Sequence, residues 1–204
     1  WIMTIKLNPI FAEAILETKL DVKLEWIDFV KNIEYKRNAP NNGHISKNFE
    51  ILEEEKLNLL KENINNIIKK YTEDYLKISN KFKITSSWIS KHTKNDFAQP
   101  HLHKNSIISG VFYLQAKQGS GDLIFSRNDF LSNTFSFDRI NDNIINTHNV
   151  MFKVYDGLLL IFPSRIKHGT FPMPFDNYER ICLSFNTFIT NQIGYEDTKL
   201  KGVI

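Results

Sequence analysis

The sequence lacks the features that several common protein classes require. Its one cysteine, Cys182, cannot form an intramolecular disulfide, and no apolar run reaches the roughly 18 residues that a membrane-spanning helix needs. The first residues, WIMTIKLNPIF, do not combine the charged start and the long apolar core of a secretory signal. We therefore expect a soluble, cytoplasmic protein.

Several motifs that carry chemistry are also missing. The chain contains no G-x-S-x-G nucleophile motif, no P-loop and no Rossmann glycine pattern. Its net charge is only +3, and Lys and Arg are scattered along the chain, so neither a nucleic-acid partner nor a membrane partner is expected. Cys182 lies in an apolar segment, which favours an inert buried thiol over a nucleophile.

What the sequence does contain is enough apolar material for one packed domain. With 204 residues, 42% of them hydrophobic, the chain is long enough to bury a substantial core. Apolar residues recur at helical spacing in residues 22–36 and 52–78, and a loop rich in Asn, Pro and Gly lies between them at 37–44. We predict a single domain, residues 1–204, in which residues 1–80 form helical support.

After Asn80 the hydrophobic period changes toward two. Short segments rich in β-branched and aromatic residues, separated by Gly, Pro, Asn or Asp, predict strands at 81–92, 106–116, 121–126, 150–155, 157–163 and 180–189. Helices followed by strands predict an α+β protein, with an antiparallel sandwich or barrel over about 81–190. The polar segment 127–149 interrupts the strands, and we predict that it is mobile without substrate, as a lid or a plain surface loop.

Two of the six histidines, His101 and His103, lie one residue apart in QPHLH. Side chains at i and i+2 of an extended segment point to the same side, and Pro100 favours extended geometry in the residue before it. A third histidine, His168, follows a distant apolar strand. Two ligands on one segment and a third on another strand can build a three-ligand metal face with open positions. An isolated H-x-H also fits partly exposed loop histidines.

Four segments, in this order, resemble the Fe(II)/2-oxoglutarate-dependent dioxygenases, in the branch related to prolyl hydroxylases. They are SSWIS, PHLH followed by SGVFYL, GLLLIFPSRIKHGTFP, and ERICLSFN, and the resemblance covers roughly residues 84–190. It implies a double-stranded β-helix, a jelly-roll barrel, with supporting N-terminal helices. It also implies an enzyme that uses Fe(II), 2-oxoglutarate and O2 to hydroxylate a substrate, with release of succinate and CO2.

The resemblance also assigns site residues by their motifs. His101 and His168 match the two metal histidines. Arg180 matches the basic residue that pairs with the distal carboxylate of 2-oxoglutarate, and Tyr113 matches a tyrosine that donates a hydrogen bond to the same carboxylate. Ser184 lies on the face of Arg180 by strand alternation and could also touch 2-oxoglutarate.

One position departs from the family pattern, because most members have Asp or Glu where this chain has His103. Imidazole suits iron, so His103 either completes a three-histidine site or supports the site without binding the metal. In the second case another group has to fill the position, and Asp96 is a nearby candidate. Four aromatic residues could line the pocket, although core packing is the more ordinary role for each: Trp88, Phe97, Phe162 and Phe171.

Two other functions stay open at this point. The chain could be a cupin-like metal-binding module that uses three histidines without 2-oxoglutarate, or a barrel that has lost catalysis. A zinc hydrolase lacks an evident general base. Arg180 and Tyr113 favour the oxygenase, since the alternatives need no carboxylate clamp beside the metal. The substrate, a protein side chain or a small molecule, has no readable code in the sequence.

Overall fold

The computed structural model describes residues 12–39, 42–127, 138–190 and 192–200 of the chain. Its helices are α1 (Leu24–Lys31) and α2 (Asn58–Lys70). Its strands are β1 (Leu16–Lys19), β2 (Tyr35–Arg37), β3 (His44–Ser46), β4 (Phe82–His92), β5 (Ile108–Gln115), β6 (Leu123–Ser126), β7 (Asn149–Phe152), β8 (Leu158–Pro163), β9 (Lys167–Thr170) and β10 (Arg180–Ile189). None of these helices has the length and apolar character that crossing a bilayer requires.

The strands form two antiparallel sheets. The larger sheet has seven strands in the order β1-β8-β5-β10-β4-β3-β2, and the smaller has three in the order β7-β6-β9. In both sheets each pair of neighbouring strands is antiparallel. Antiparallel strands alternate their side chains between two faces, so each strand of the larger sheet contributes to two separate layers.

The two faces of the larger sheet bury two different apolar clusters. On β5, Phe112 and Leu114 pack toward the helices, whereas Val111 and Tyr113 belong to a second cluster with Leu123 from the smaller sheet. We call these the outer and the inner face. The outer face carries the larger core, and the inner face meets the smaller sheet. Any site between the sheets therefore rests on a face whose reverse side is fully packed.

The helices cover the outer face because each has one apolar stripe. In α2 the buried residues Leu60, Ile64 and Ile68 recur every four positions, which is the spacing of one helix face. In α1 Trp26 and Val30 have the same spacing, and the Trp26 ring contacts the edge of Phe112 at a centroid distance of 6.3 Å. The helices thus stabilise the sheet from behind and leave its inner face free.

The structure confirms a β-rich fold with a few helices on one side, and each of the six predicted strand segments overlaps a strand. The N-terminal third differs from the prediction. The segment 52–78 is not one helix, because short 3-10 turns precede α2 and a π-helical turn, Tyr71–Tyr75, follows it. The loop predicted at 37–44 overlaps the ends of a hairpin, β2 and β3, that pairs with β4. Residues 128–137 of the predicted lid lie outside the described residues, so the mobility of 127–149 stays a prediction.

Gly110 on β5 lies where no side chain fits. A Cβ at this position would meet the ring of Phe185 on the neighbouring strand and the carbonyl oxygen of Leu160 at 2.9 Å. We expect Gly110→Ala to lower the free energy of unfolding by about 1–3 kcal/mol, the usual cost of overpacking a core. Urea denaturation measures this change.

The matched control is Lys83→Ala, at an exposed position of β4. That variant should stay within about 0.5 kcal/mol of the wild type, as surface substitutions do. Equal stability of the two variants would show that the β5–β10 contact is looser than described.

Candidate metal centre

The site is built where a loop pairs with the edge of the smaller sheet. His101 and His168 form an isolated antiparallel bridge, in which each main-chain N–H donates to the other residue's carbonyl at 2.8 Å. The same loop forms further main-chain hydrogen bonds along this edge. The N–H of Asn95 donates to the carbonyl of Met173, and the carbonyl of Ala98 accepts from the N–H of Thr170. The backbone therefore holds the QPHLH segment against β9, although the segment is not itself a strand.

Three imidazoles converge at this bridge. The ligand nitrogens of His101, His103 and His168 all lie within 4.8 Å of one another. The Nε2 atoms of His103 and His168 are 3.1 Å apart, and the ring centroids of His101 and His168 are 4.6 Å apart. The structure thus brings together the three histidines that the sequence singled out, in an arrangement that could hold one metal ion.

Two of the three rings are oriented by the main chain. The Nδ1 atom of His101 lies 2.7 Å from the carbonyl oxygen of Gln99, and Nδ1 of His168 lies 2.9 Å from that of Ile166. A carbonyl oxygen can only accept, so each Nδ1 carries the proton and donates it. The Nε2 atom of each ring is then left with a free lone pair toward the cluster.

Burial keeps the imidazoles of His103 and His168 uncharged. It lowers the pKa of His168 to about 3 and that of His103 to about 4, and the neighbouring His101 lowers the pKa of both further. Desolvation disfavours the protonated, positively charged form. Both side chains are therefore neutral at physiological pH, which is the form that binds metal ions.

Aromatic side chains surround the cluster. Phe162 lies with its ring centroid 4.7 Å from that of His168, and Phe125 lies at 5.8 Å. Trp88 stacks on His103 at 5.7 Å with an interplanar angle of 27°. Of the four aromatic residues predicted to line the pocket, Trp88 and Phe162 contact the histidines, whereas Phe171 is 48% exposed.

Arg180, at the start of β10, is a buried cation held by neutral groups. Its side chain is 1% exposed, and its Nη1 donates to the carbonyls of Ser120, at 2.8 Å, and Gly121. Its Nη2 donates to Thr170 Oγ1 at 3.1 Å. Among the described residues its Nε has no hydrogen-bond partner and its guanidinium forms no ion pair. A positive charge and one donor are thus left without a partner in the part of the chain that the structure describes.

The spacing of Thr170 and His168 along β9 indicates how far the guanidinium of Arg180 lies from the histidines. Both residues are on β9, two positions apart, where side chains point to the same face. Two residues of a strand span about 7 Å. The guanidinium that contacts Thr170 therefore lies roughly that far along the strand from the histidine cluster. This separation is within the reach of a five-carbon diacid.

Tyr113 and Ser184 both lie on the inner face. Tyr113 is opposite Cys182 in the β5–β10 pairing and is buried in the inner cluster. Burial raises the pKa of its phenol well above the ordinary value, so the hydroxyl keeps its proton and can donate it. Ser184 is half-buried and lies opposite Trp88, four residues along β10 from Arg180.

Asp96 does not join the histidine cluster. Its carboxylate accepts hydrogen bonds from the Thr93 amide, at 2.9 Å, and hydroxyl, at 2.7 Å, and lies 3.9 Å from a nitrogen of Arg37. These interactions turn it toward the start of the loop. It anchors the segment that carries the histidines, and it is not among the side chains that meet at the cluster.

Two further residues near the site were not predicted. Asn186, on the inner face of β10, is hydrogen-bonded to Ser86 and Ser109, and Thr170 contacts Arg180. Alternation in RICLSFN places Asn186 on the face of Arg180, so that signal was present in the sequence. Thr170 gave no such signal, because β9 is only four residues long and was not recognised as a strand.

The chain matches one protein-family model, whose description is "Putative 2OG-Fe(II) oxygenase", over residues 86–186. This range contains the three histidines and Arg180. Among curated protein sequences, none matches the chain.

Solved structures of similar fold include three from different organisms. A prolyl-4-hydroxylase from Pseudomonas putida is 15% identical, with 85% of this chain and 92% of that chain covered and a TM-score of 0.54. HygX from Streptomyces hygroscopicus, with nickel, 2-oxoglutarate and hygromycin B bound, is 11% identical, with 87% of this chain and 84% of that chain covered and a TM-score of 0.59. A prolyl hydroxylase from Trichoplax adhaerens, in complex with a hypoxia inducible factor peptide fragment, is 12% identical, with 86% of this chain and 83% of that chain covered and a TM-score of 0.60. At these identities the likeness establishes a shared fold.

The Asp96 anchor gives a prediction about acid stability. Burial alone raises the pKa of Asp96, but the hydrogen bonds from Thr93 and the charge of Arg37 outweigh it and hold the pKa below the ordinary value. A lowered folded-state pKa stabilises the fold above the unfolded pKa of about 4, and this stabilisation is lost as the pH falls through the folded pKa. We expect Asp96→Asn to cost about 1 kcal/mol at neutral pH and progressively less in acid.

Urea denaturation of the wild type and of Asp96→Asn, at neutral pH and near pH 3, measures the difference between their free energies of unfolding. The control is Asp176→Asn, which removes an exposed ion pair with Lys94 in the same region and should change stability by less than about 1 kcal/mol. A gap between wild type and Asp96→Asn that is the same at both pH values would contradict the anchor role.

Proposed function

The chain belongs to the Fe(II)/2-oxoglutarate-dependent dioxygenase superfamily, and we propose that His101, His103 and His168 hold the iron while Arg180 binds 2-oxoglutarate. As a member of this superfamily it is an enzyme whose cofactors are Fe(II), 2-oxoglutarate and O2. The assignment of residues rests chiefly on the buried charge of Arg180, which has no ion-pair partner among the described residues. This charge lies roughly 7 Å along β9 from the three converging imidazoles.

The Arg180 environment fits an anion. Burying a cation is costly unless it is paired and hydrogen-bonded, and this guanidinium is hydrogen-bonded to neutral groups alone among the described residues. Its Nε–H is free, and an arginine edge with two parallel donors can bind a carboxylate bidentately. Gly121 permits the close approach, because a Cβ there would collide with Nη1 of Arg180. The carboxylate of a diacid would supply the missing charge.

The donor set fits Fe(II). Imidazole is a suitable ligand for iron, and the three side chains offer neutral nitrogens on one face, which leaves the other face for cosubstrate and oxygen. With three neutral ligands the full charge of the metal remains, and the two carboxylates of 2-oxoglutarate are the groups that offset it and the charge of Arg180. The residues present are therefore compatible with both the metal and the cosubstrate.

Each residue then has a defined task. When bound, Fe(II), 2-oxoglutarate and O2 supply an oxidant for a C–H bond of the substrate, with release of succinate and CO2. His101, His103 and His168 fix the reaction centre, and Arg180, with Tyr113 as a second donor and Ser184 as a nearby hydroxyl, orients the cosubstrate. Phe125 from the smaller sheet and Phe162 from the larger sheet pack against His168 and exclude water from it.

We also propose that the two sheets are the two walls of a double-stranded β-helix, with the metal between them. The order of strands and the similarity in fold to prolyl hydroxylases support this. The substrate is a protein side chain or a small molecule. Proteins of similar fold hold a peptide in one case and hygromycin B in another.

The alternative function for a three-histidine site is a cupin-like metal module that does not use 2-oxoglutarate. Such a module has no use for a buried arginine that lacks a counter-charge. The family match and the arginine therefore both favour the oxygenase.

The metal site is tested by single alanine variants of the three histidines. Each should fail to retain stoichiometric Fe(II), because two imidazoles alone do not complete the ligand set, and iron content after anaerobic desalting measures this. His148→Ala, at a half-buried histidine that does not belong to the cluster, is the matched control and should bind Fe(II) like the wild type. Full retention of Fe(II) by His103→Ala would remove that residue from the ligands.

The cosubstrate site is tested by Arg180→Ala. Removing one member of a buried charge pair typically costs about 2–5 kcal/mol, so binding of 2-oxoglutarate should weaken by roughly thirty-fold to a few thousand-fold. An anaerobic titration of the Fe(II)-loaded protein, followed through its metal-to-ligand charge-transfer absorption, gives the affinity. Arg180→Lys should recover part of the loss, since it keeps the charge but loses the planar pair of donors that binds a carboxylate bidentately.

Fe(II) content is the internal control, because Arg180 is not a ligand and its removal should leave metal binding intact. Arg165→Ala, which removes an exposed ion pair with Glu13, should leave the affinity for 2-oxoglutarate unchanged. Wild-type affinity in Arg180→Ala, or no charge-transfer band in the wild type, would favour the cupin-like module.

A further inference from the structure

A histidine outside the metal cluster lies beside Arg180. His92, the last residue of β4, is directly opposite Arg180, the first residue of β10. Side chains opposite each other in an antiparallel pair share a face and have their Cβ atoms about 5 Å apart. Alternation puts this face inward, since Cys182 on β10 belongs to the inner cluster and Ile89 on β4 belongs to the outer one. His92 and Arg180 are therefore neighbours on the inner face.

The contact of His92 with Gly43 indicates how its ring is turned. A Cβ added to Gly43, directly before β3, would meet Cδ2 of His92 at 2.8 Å and Nε2 at 3.3 Å, so this edge of the ring faces Gly43. The strand β3 pairs with β4 on the side opposite to β10. The other edge of the ring, which carries Nδ1, therefore faces the side of β4 on which Arg180 lies.

Three buried polar atoms at this position have no hydrogen-bond partner among the described residues. They are Nδ1 of His92, Nε of Arg180 and Oγ of Ser120. His92 is 5% exposed, and the main-chain carbonyl of Ser120 accepts from Nη1 of Arg180 at 2.8 Å. Buried polar groups are nearly always hydrogen-bonded, because an unpaired one costs free energy. One polar ligand held against Arg180 would satisfy several unpaired groups together.

The His92 imidazole is a neutral donor beside the guanidinium. Burial lowers the pKa of His92 to about 3, and the positive charge of Arg180 lowers it further. The ring is therefore uncharged at physiological pH and carries one N–H. A carboxylate has about four lone-pair sites, so Arg180, Tyr113 and His92 can all donate to the same one.

We propose that His92 is a further binding residue for the cosubstrate: its Nδ1–H donates to the distal carboxylate of 2-oxoglutarate beside Arg180. This inference rests on the proposed role of Arg180. In this account Arg180 supplies the charge that attracts the carboxylate, and His92 adds a directed hydrogen bond from the neighbouring strand. The carboxylate then lies between the ends of β4 and β10.

The test is the affinity of the anaerobic Fe(II)-loaded protein for 2-oxoglutarate in two variants of His92. A hydrogen bond to a charged group corresponds to about 10–100-fold in affinity, so His92→Leu should weaken binding by about this factor. His92→Asn keeps an N–H at about the position of Nδ1 and should recover most of the loss. A role in packing alone predicts the opposite order, because Leu fills the volume of His better than Asn does.

A second ligand shows which end of the cosubstrate His92 contacts. 2-Oxopentanoate has the same chain length and the same 2-oxo acid group but no distal carboxylate. Wild type and His92→Leu should therefore bind 2-oxopentanoate equally well. Equal weakening of both ligands in His92→Leu would overturn the proposal, and so would wild-type affinity of His92→Leu for 2-oxoglutarate.

Controls cover a nonspecific effect and a variant that does not fold. His148→Leu, at a half-buried histidine outside the cluster, should bind 2-oxoglutarate like the wild type. Should His92→Leu not fold, long-range 15N NMR of the wild type with Zn(II) and 2-oxoglutarate decides alone. Protonation of His92 at Nδ1 in this complex supports the proposal, and protonation at Nε2 alone overturns it.

Arg180→Ala distinguishes the failure of this inference from failure of the proposed function. If Arg180→Ala keeps wild-type affinity for 2-oxoglutarate, the proposed cosubstrate site is wrong and the role of His92 fails with it. If Arg180→Ala loses affinity while His92→Leu keeps it, Arg180 binds the carboxylate and His92 does not.

Discussion

The pair of main-chain hydrogen bonds between His101 and His168 is the interaction on which the site depends. It joins a loop to the edge strand of the smaller sheet and places two imidazoles side by side, because residues opposite each other in an antiparallel pair have neighbouring side chains. His103 follows two residues later on the same side of the chain, with its own N–H bonded to Ser164. Three ligand nitrogens thus meet through backbone pairing, before any metal is considered.

The rest of the fold supports this arrangement through a division between the two faces of the larger sheet. The outer face is apolar and is covered by α1 and α2, so it supplies the hydrophobic stabilisation. The inner face can therefore carry groups that cost stability, above all the buried guanidinium of Arg180. Backbone carbonyls of Ser120 and Gly121 and the hydroxyl of Thr170 hold this cation in position. In the proposed function this cation is an anion site prepared in advance, as binding sites on rigid strands commonly are.

Much of this could be predicted from the sequence, for reasons that the structure makes clear. The strand segments have period-two patterns, and the side chains of His101 and His103 lie on the same side of the chain, as their i, i+2 spacing predicts. The position of Arg180 at the start of β10 was also correct. What the sequence could not indicate depends on contacts between distant segments. The strand β9 is too short to show a pattern, the bridge of His101 lies outside any regular strand, and Asn186 acquires its partners only when β4, β5 and β10 align.

The N-terminal third shows the same limit. The loop predicted at 37–44 connects β2 and β3, and only its end residues, Arg37 and His44, belong to these strands. The two short strands themselves were not predicted, because they form through pairing with each other and with β4. The helical pattern of 52–78 was real, but only residues 58–70 form an α-helix, and tighter and wider turns flank it. Apolar periodicity reports which face is buried, and it does not report the type of helical turn.

The central claim is that three histidines and Arg180 form one Fe(II)/2-oxoglutarate site. A crystal structure of the protein prepared with Fe(II) and 2-oxoglutarate without oxygen tests it most directly. The account predicts one ion bound to Nε2 of His101, His103 and His168, with a carboxylate of 2-oxoglutarate paired with Arg180 through its Nε–H. An ion bound without His103, or 2-oxoglutarate bound away from Arg180, would contradict it.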